Sequence, residues 1–169
     1  ICVFRSIYAP AQANPFLRAA FPLLKKTVYR KFAFREDAPG TADCLTSIHY
    51  VFKKALSVSI PLSFIGDMPR QLLRSRQWVP LQIDRKEARC GGLLFVKNRR
   101  NQKLLSHVAM IVGENHIFHC SPSKGTAVIE SDNAFFSLYE QKLQFKKMVC
   151  YIDPRNIKLR EKHKGIFIP

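Results

Sequence analysis

The chain has 169 residues, of which 47% are hydrophobic and 11% aromatic, and this excludes a disordered chain. Its length fits one domain with a core of its own. The 28 Lys and Arg residues against 12 Asp and Glu residues give a formal net charge of +16, which predicts attraction to an anionic partner without identifying it. No apolar run approaches the roughly 20 residues that a transmembrane helix needs, so we predict no membrane span.

The five cysteines are odd in number and widely spaced. No pair has the spacing of a zinc site, and the pattern does not favour a disulfide framework. We therefore expect free thiols and no metal or cofactor.

The first half of the chain is predicted to be helical. A capping side chain followed by Pro predicts a helix over 14–31, broken or restarted at Pro22. Residues 35–41 have the composition of a loop. Apolar residues at helical spacing predict a helix over 44–56, and a short helix is predicted over 68–77.

Short apolar segments separated by turn residues fill the second half of the chain. They predict antiparallel strands at 92–97, 104–113, 116–121, 126–131 and 148–153. Helices followed by strands indicate an α+β fold.

Cys44 stands at the predicted start of the helix over 44–56, which either Thr41 or Asp43 could cap. Unpaired amides and the helix dipole lower the pKa of a thiol at that position, and the same amides could hold an oxyanion. Cys44 is therefore a candidate nucleophile. The alternative interpretation is a small, buried core residue.

A nucleophilic cysteine needs a base, and His49 is a poor candidate because it lies about 140° around the helix from Cys44. His107 lies in a predicted strand that ends at a turn signal over 113–115. Folding the chain back there would bring His119 to the same face, where it could orient the His107 ring. A register slip of one residue would separate them, and each could instead be a packing residue.

Segments in a fixed order resemble the NlpC family of papain-like cell-wall cysteine peptidases. DCLTSIHYVF at 43–52 resembles the cysteine-bearing helix, and GGLLFV at 91–96 resembles the strand that follows it. HVAMIVG at 107–113 and IFHCS at 117–121 resemble the two histidine-bearing strands. The resemblance covers roughly residues 25–152. It implies a papain-like fold, with N-terminal helices packed on a central antiparallel sheet of about five or six strands.

On this basis residues 1–169 are interpreted as a single catalytic domain. It comprises an N-terminal extension at 1–24, the papain-like core at 25–152 and a basic C-terminal segment at 153–169.

The resemblance also implies a reaction. Cys44 would be the nucleophile, His107 the general base and His119 the residue that orients it. The substrate would be peptidoglycan or a muropeptide, cut between D-glutamate and meso-diaminopimelate in the stem peptide.

The chain departs from the family where a Tyr hydroxyl completes the oxyanion hole. Counting back from the cysteine, that position falls at or near Phe32, whose ring cannot donate a hydrogen bond. Tyr29 is three residues out of register. The Cys44 amide could act alone, or Tyr29 or Arg35 could assist it.

Two further residues are candidates for substrate binding. Asp43 either only caps the helix or also holds a substrate ammonium group. Ser63 lies in a stretch that resembles the family's cleft border.

Two other functions fit the same residues. One is a papain-like enzyme on another acyl substrate, such as an amidase, deamidase, isopeptidase or acyltransferase. The other is a catalytically inactive module that binds peptidoglycan. No nucleic-acid recognition motif is present, so we expect no specific nucleic-acid partner. The resemblance implies a bacterial protein, either cytoplasmic or in the periplasm or cell envelope. A chain that does not begin with Met leaves the compartment open.

Overall fold

A computed structural model describes residues 15–60, 65–74, 78–81, 90–97, 104–113, 115–140 and 145–151. Its helices are α1 (Pro15–Ala20), α2 (Cys44–Leu56), α3 (Met68–Arg74) and α4 (Asp132–Glu140), with 3-10 turns at Phe21–Leu23 and Arg35–Asp37. Its strands are β1 (Val28–Tyr29), β2 (Thr41–Ala42), β3 (Trp78–Leu81), β4 (Gly92–Lys97), β5 (Leu105–Gly113), β6 (His116–Ser121), β7 (Thr126–Ser131) and β8 (Phe145–Tyr151).

The strands form one sheet in the order β2-β1-β7-β6-β5-β4-β8-β3. The six longer strands pair antiparallel, whereas the two-residue strands β1 and β2 pair parallel to each other. The α+β class and the antiparallel central sheet are therefore confirmed. The two short strands extend the sheet beyond the five or six that were predicted.

Helix α2 is the central element of the core and begins and ends where the sequence predicted. Its buried residues Ile48, Val51 and Phe52 belong to one apolar cluster with Met110 of β5 and Phe118 of β6. Burying such side chains contributes about 1.5–3 kcal/mol each. Because this face is packed along its length, the start of α2 is held against the sheet.

The prediction of a helix over 14–31 is only partly confirmed. Helix α1 has six residues, and the 3-10 turn that follows it contains Pro22, whose ring cannot continue an α-helix. The chain then enters β1 at Val28. Phe16 of α1 packs edge-on against Phe52, with ring centroids 5.2 Å apart, so α1 covers α2.

Helix α4 was not predicted, and it covers the opposite face of the sheet. It packs on β6 and β7, where the ring of Phe135 lies 5.1 Å from that of His119. Side chains alternate along a strand, and the neighbours Phe118 and Cys120 belong to the core on the α2 side. The sheet therefore carries helices on both faces.

The remaining predictions concern the ends of elements. Strands β4, β6 and β7 match their predicted ranges, and α3 is shorter than the predicted helix over 68–77. Residues 1–14, Ser63 and the predicted basic segment at 153–169 lie outside the described residues. None of the helices in the described ranges has the length and apolar character needed to cross a bilayer.

Candidate active site

Cys44 is fixed at the first position of α2 by the residue before it. Oδ1 of Asp43 accepts hydrogen bonds from the backbone amides of Leu45 and Thr46, at 2.9 and 2.8 Å. The amide of Asp43 donates in turn to Oγ1 of Thr46 at 2.9 Å. The Cys44 amide is one of the four at a helix start that have no carbonyl acceptor within the helix, and it lies against the Cys44 sulfur.

A cavity of about 740 Å³ opens over Cys44. It brings together five of the residues that the sequence predicted for the site: Tyr29, Phe32, Arg35, Asp43 and Cys44. Its wall also includes Leu104, Leu105 and Ser106, at the start of β5. The cavity therefore lies between the start of α2 and the strand that carries His107.

Aromatic and cationic side chains alternate at the mouth of the cavity, along residues 31–35. Phe32 and Phe34 are 75% and 69% exposed, and Lys31 and Arg35 also line the cavity. Phe32 has a φ of 61°, in the left-handed region that bulky residues rarely adopt. This mouth can contact both apolar and anionic parts of a ligand.

Tyr29 lies near enough to Cys44 and Asp43 for their charges to act on its hydroxyl group. The β1–β2 pairing sets Tyr29 opposite Ala42, two residues before Cys44. Burial, and then the proximity of Cys44 and Asp43, raises the pKa of Tyr29 to about 12. The phenol therefore keeps its proton at neutral pH. It can donate a hydrogen bond, which the ring of Phe32 cannot.

The thiol of Cys44 is protonated in the free protein. Burial, and then the negative charge of Asp43, raises its pKa to about 12, although the backbone amides of Val108 and of Cys44 itself favour the thiolate. The sequence predicted a lowered pKa from the helix start alone. That prediction was wrong, because enclosure of the sulfur outweighs the two amides.

Val108 lies in β5 two residues before Met110, which pairs with Phe118 of β6. The ladder between these strands runs from that pair through Ile111–Ile117 to Gly113–His116. The Val108 amide meets the sulfur of Cys44 in this region, one residue from His107.

His107 and His119 lie diagonally on one face of the sheet, as the predicted hairpin implied. Nε2 of His107 is 3.0 Å from Nδ1 of His119, and both side chains are buried. Burial, and then the neighbouring His119, lowers the pKa of His107 to about 3. His107 is therefore neutral at neutral pH and can accept a proton.

Glu130, which was not predicted from the sequence, lies behind the histidine pair. Its Oε2 is 3.1 Å from Nε2 of His119, and its Oε1 pairs with Nζ of Lys124. The hydrogen bond from His119 is the largest cause that lowers the pKa of Glu130 to about 2, against the opposing effect of burial. The alternation along 126–131 could have revealed it, since Val128 is opposite His119 and Glu130 shares that face.

Structural contacts account for His49, the poor candidate for the base, and for Cys120, the neighbour of His119. Nδ1 of His49 lies 3.0 Å from the carbonyl oxygen of Ile60, in a buried setting. Cys120 is fully buried, and its thiol donates to the carbonyl oxygen of Ala42 at 3.4 Å.

The model of the NlpC/P60 family matches residues 29–144, more than half of the chain. This chain belongs to the NlpC/P60 family. Comparison with curated protein sequences gives no significant match.

Solved structures of NlpC/P60 proteins share the fold, and the papain-like prediction is confirmed. NlpC1 from Trichomonas vaginalis is 20% identical with a TM-score of 0.59, and the match covers 82% of this chain but only 45% of that one. The peptidoglycan hydrolase RipB from Mycobacterium tuberculosis is 17% identical with a TM-score of 0.55, over 86% of this chain and 68% of that one. The NlpC/p60 domain of the peptidoglycan hydrolase SagA is 15% identical with a TM-score of 0.53, over 78% and 93%.

Proposed function

We propose that this protein is a cysteine peptidase that hydrolyses peptidoglycan stem peptides, at the bond between the γ-carboxyl of D-glutamate and meso-diaminopimelate. The observation that supports this most is the position of Cys44, at the start of α2 and in a cavity, with its sulfur at the backbone amide of Val108, the residue that follows His107. Family membership and two similar structures named as peptidoglycan hydrolases add to it. The proposed setting is a bacterial cell, in its cytoplasm or its envelope.

The first step is acylation of Cys44. His107 takes the thiol proton, the sulfur attacks the γ-carbonyl carbon, and the carbonyl electrons move to oxygen. The Cys44 amide and the Tyr29 hydroxyl are the donors proposed for this oxyanion. His107 then protonates the leaving amine of diaminopimelate, and a thioester remains.

The second step releases the acyl group. His107, neutral again, removes a proton from water, which attacks the thioester carbonyl. The tetrahedral intermediate collapses and expels the Cys44 thiolate, which takes back the proton from His107. His119 holds the His107 ring through both steps.

The charges around the cavity suit a stem peptide. Arg35 and Lys31 at the mouth can pair with substrate carboxylates, for which the Arg guanidinium offers a bidentate geometry. The cap bonds of Asp43 all go to Oδ1, so Oδ2 is the atom proposed to hold the free ammonium group of an L-alanine end. Phe32 would contact apolar parts of the ligand.

Product analysis by mass spectrometry tests this function. Wild-type protein should cut L-Ala-γ-D-Glu-meso-diaminopimelate to L-Ala-D-Glu and free diaminopimelate, and Cys44→Ala should abolish cleavage. Cys120→Ala is the matched control, because it removes a thiol from the same neighbourhood without touching the cavity. Peptides left intact by folded wild-type protein would refute the proposal.

The second candidate function is an inactive module that binds muropeptides. The observation that favours it is the enclosed, protonated thiol, whose sulfur meets the Val108 amide. It predicts that titration calorimetry detects stem-peptide binding of equal affinity in wild-type protein and Cys44→Ala, with no product from either.

A further inference from the structure

We propose that Glu130 is a positioning residue that fixes the protons of both histidines, so that Nδ1 of His107 is the nitrogen that accepts the thiol proton. This inference rests on the proposed function, in which His107 is the base for Cys44. It adds a fourth residue to the predicted set of Cys44, His107 and His119.

The carboxylate of Glu130 determines which nitrogen of His119 carries the hydrogen. An ionised carboxylate can only accept hydrogen bonds, so the contact of 3.1 Å between Oε2 of Glu130 and Nε2 of His119 requires the hydrogen to be on Nε2. In the neutral form of His119 the ring carries one N–H, so Nδ1 is then an acceptor.

The position of the hydrogen on His107 then depends on that of His119. Nε2 of His107 lies 3.0 Å from Nδ1 of His119, and because that nitrogen accepts, Nε2 of His107 must donate. Its single hydrogen is on Nε2, which leaves the lone pair of His107 on Nδ1. The carboxylate thus determines the basic nitrogen two hydrogen bonds away.

The surroundings hold this chain in one arrangement. Lys124 pairs with the other oxygen of Glu130, so the carboxylate stays charged and its two oxygens have different partners. His119 is fully buried, and the ring of Phe135 lies edge-on to it at 5.1 Å, which opposes a flip of the imidazole. Packing fixes the ring, and Glu130 fixes its proton.

The arrangement also accounts for the charge that forms during acylation. The thiol proton moves from Sγ of Cys44 to Nδ1 of His107, and the imidazolium then carries hydrogen on both nitrogens. Its Nε2–H already points to Nδ1 of His119, whose own Nε2–H points to the carboxylate. The positive charge therefore forms at the end of a chain of hydrogen bonds that leads to a fixed negative charge.

Histidine tautomers in the ¹⁵N-labelled protein, read by long-range ¹H–¹⁵N correlation NMR, test the inference without any substrate. Wild-type protein should show a protonated Nε2 and an unprotonated Nδ1 on both His107 and His119. Glu130→Gln keeps the shape, but its amide can also donate, so part of the His119 population should move its proton to Nδ1. Lys124→Gln, which keeps the carboxylate, is the matched control and should retain the wild-type tautomers.

Kinetics on the stem peptide give the second readout. Glu130→Gln should lower kcat about 100-fold, in the range ascribed to general-base catalysis, with KM within about twofold of wild type. A proton on Nδ1 of His119 in the neutral wild-type protein would overturn the inference, and so would Glu130→Gln with unchanged tautomers and unchanged kcat. Wild-type protein that shows the expected tautomers but cuts no peptide would support the proton assignment and count against the peptidase alone.

Discussion

The hydroxyl group proposed as the second oxyanion donor belongs to Tyr29. Tyr29 reaches the neighbourhood of Cys44 because a parallel pair of two-residue strands sets it opposite Ala42. Phe32, three residues later, lies at the exposed mouth of the cavity. Counting along the sequence placed the hydroxyl position at or near Phe32, because β1 has only two residues, with two pairs to β2 and one to β7, and gives no strand pattern of its own.

Tyr29→Phe should lower kcat for stem-peptide hydrolysis by about 100-fold or more and leave KM little changed. The reason is that the phenol is a proposed oxyanion donor, and the loss of one such donor typically costs about 10²–10³ in kcat. Steady-state kinetics with the defined peptide would measure it.

Phe32→Leu is the control, since it alters the mouth and should change KM more than kcat. Full activity in Tyr29→Phe would exclude the phenol and leave the Cys44 amide and Arg35 as the candidate donors.

Three site residues could be proposed from the sequence because their patterns are local. Cys44 follows a helix cap, and His107 and His119 lie on either side of a hairpin turn at the spacing that puts them on one face. Glu130 was not predicted, because its hydrogen bond to His119 depends on the register of a second hairpin, between β6 and β7. The raised pKa of Cys44 was not predicted either, because it depends on burial, which a local sequence pattern does not reveal.

Among the elements, α2 has a cap with two possible roles. Oδ1 of Asp43 holds the amides of Leu45 and Thr46 and accepts from the Thr46 hydroxyl. The proposed substrate contact needs the charge of this carboxylate, whereas the cap needs only an accepting oxygen.

Asp43→Asn and Asp43→Ala should therefore separate the two roles. The amide oxygen of Asn can still accept from both backbone amides, so the free energy of unfolding should stay within about 0.5 kcal/mol of wild type, whereas Ala should lose about 1 kcal/mol. Both variants should raise KM for a peptide with a free N-terminal amine. Urea unfolding and steady-state kinetics would measure these effects.

A KM that is unchanged in Asp43→Asn would restrict Asp43 to capping. The same peptide with an acetylated amine is the substrate control, because it should bind wild-type and variant proteins alike.

Some helices and strands were predictable from the sequence and others were not, and the difference has a physical reason. α2 has a strong apolar face and a capping residue, and β4 to β7 are apolar runs between turn residues, so each carries its own signal. Helix α4 follows β7 without an intervening loop, at Ser131–Asp132, and its buried Phe135 and Phe136 are adjacent rather than spaced by a helical turn. β1 and β2 exist only through tertiary pairing, which explains why a helix was predicted across Val28.

On the scale of the whole molecule, the buried histidine links stability to pH. The pKa of His107 is about 3 in the folded protein against 6.5 for an ordinary histidine, so between these values the unfolded chain binds more protons. The free energy of unfolding should therefore fall as pH drops from about 6.5 towards 3.

His107→Gln should reduce this pH dependence by up to about 1.4 kcal/mol per pH unit, because one titrating group has been removed. Denaturant unfolding between about pH 6.5 and 5.5 is the measurement, because the carboxyl of Glu130, whose ordinary pKa is 4.5, stays largely ionised in both states across that range. Parallel curves for wild type and variant would mean that His107 is charged in the folded protein or exposed to solvent.

The enclosure of the Cys44 sulfur also affects how long the protein survives under oxidising conditions. Peroxide oxidises the thiolate first to sulfenic acid and then to the irreversible sulfinic and sulfonic acids, so a thiol with a pKa near 12 offers almost no reactive form at neutral pH. A cysteine hydrolase that formed its thiolate only with substrate bound would be spared this damage while idle. Its working lifetime would then be set by the number of turnovers rather than by elapsed time.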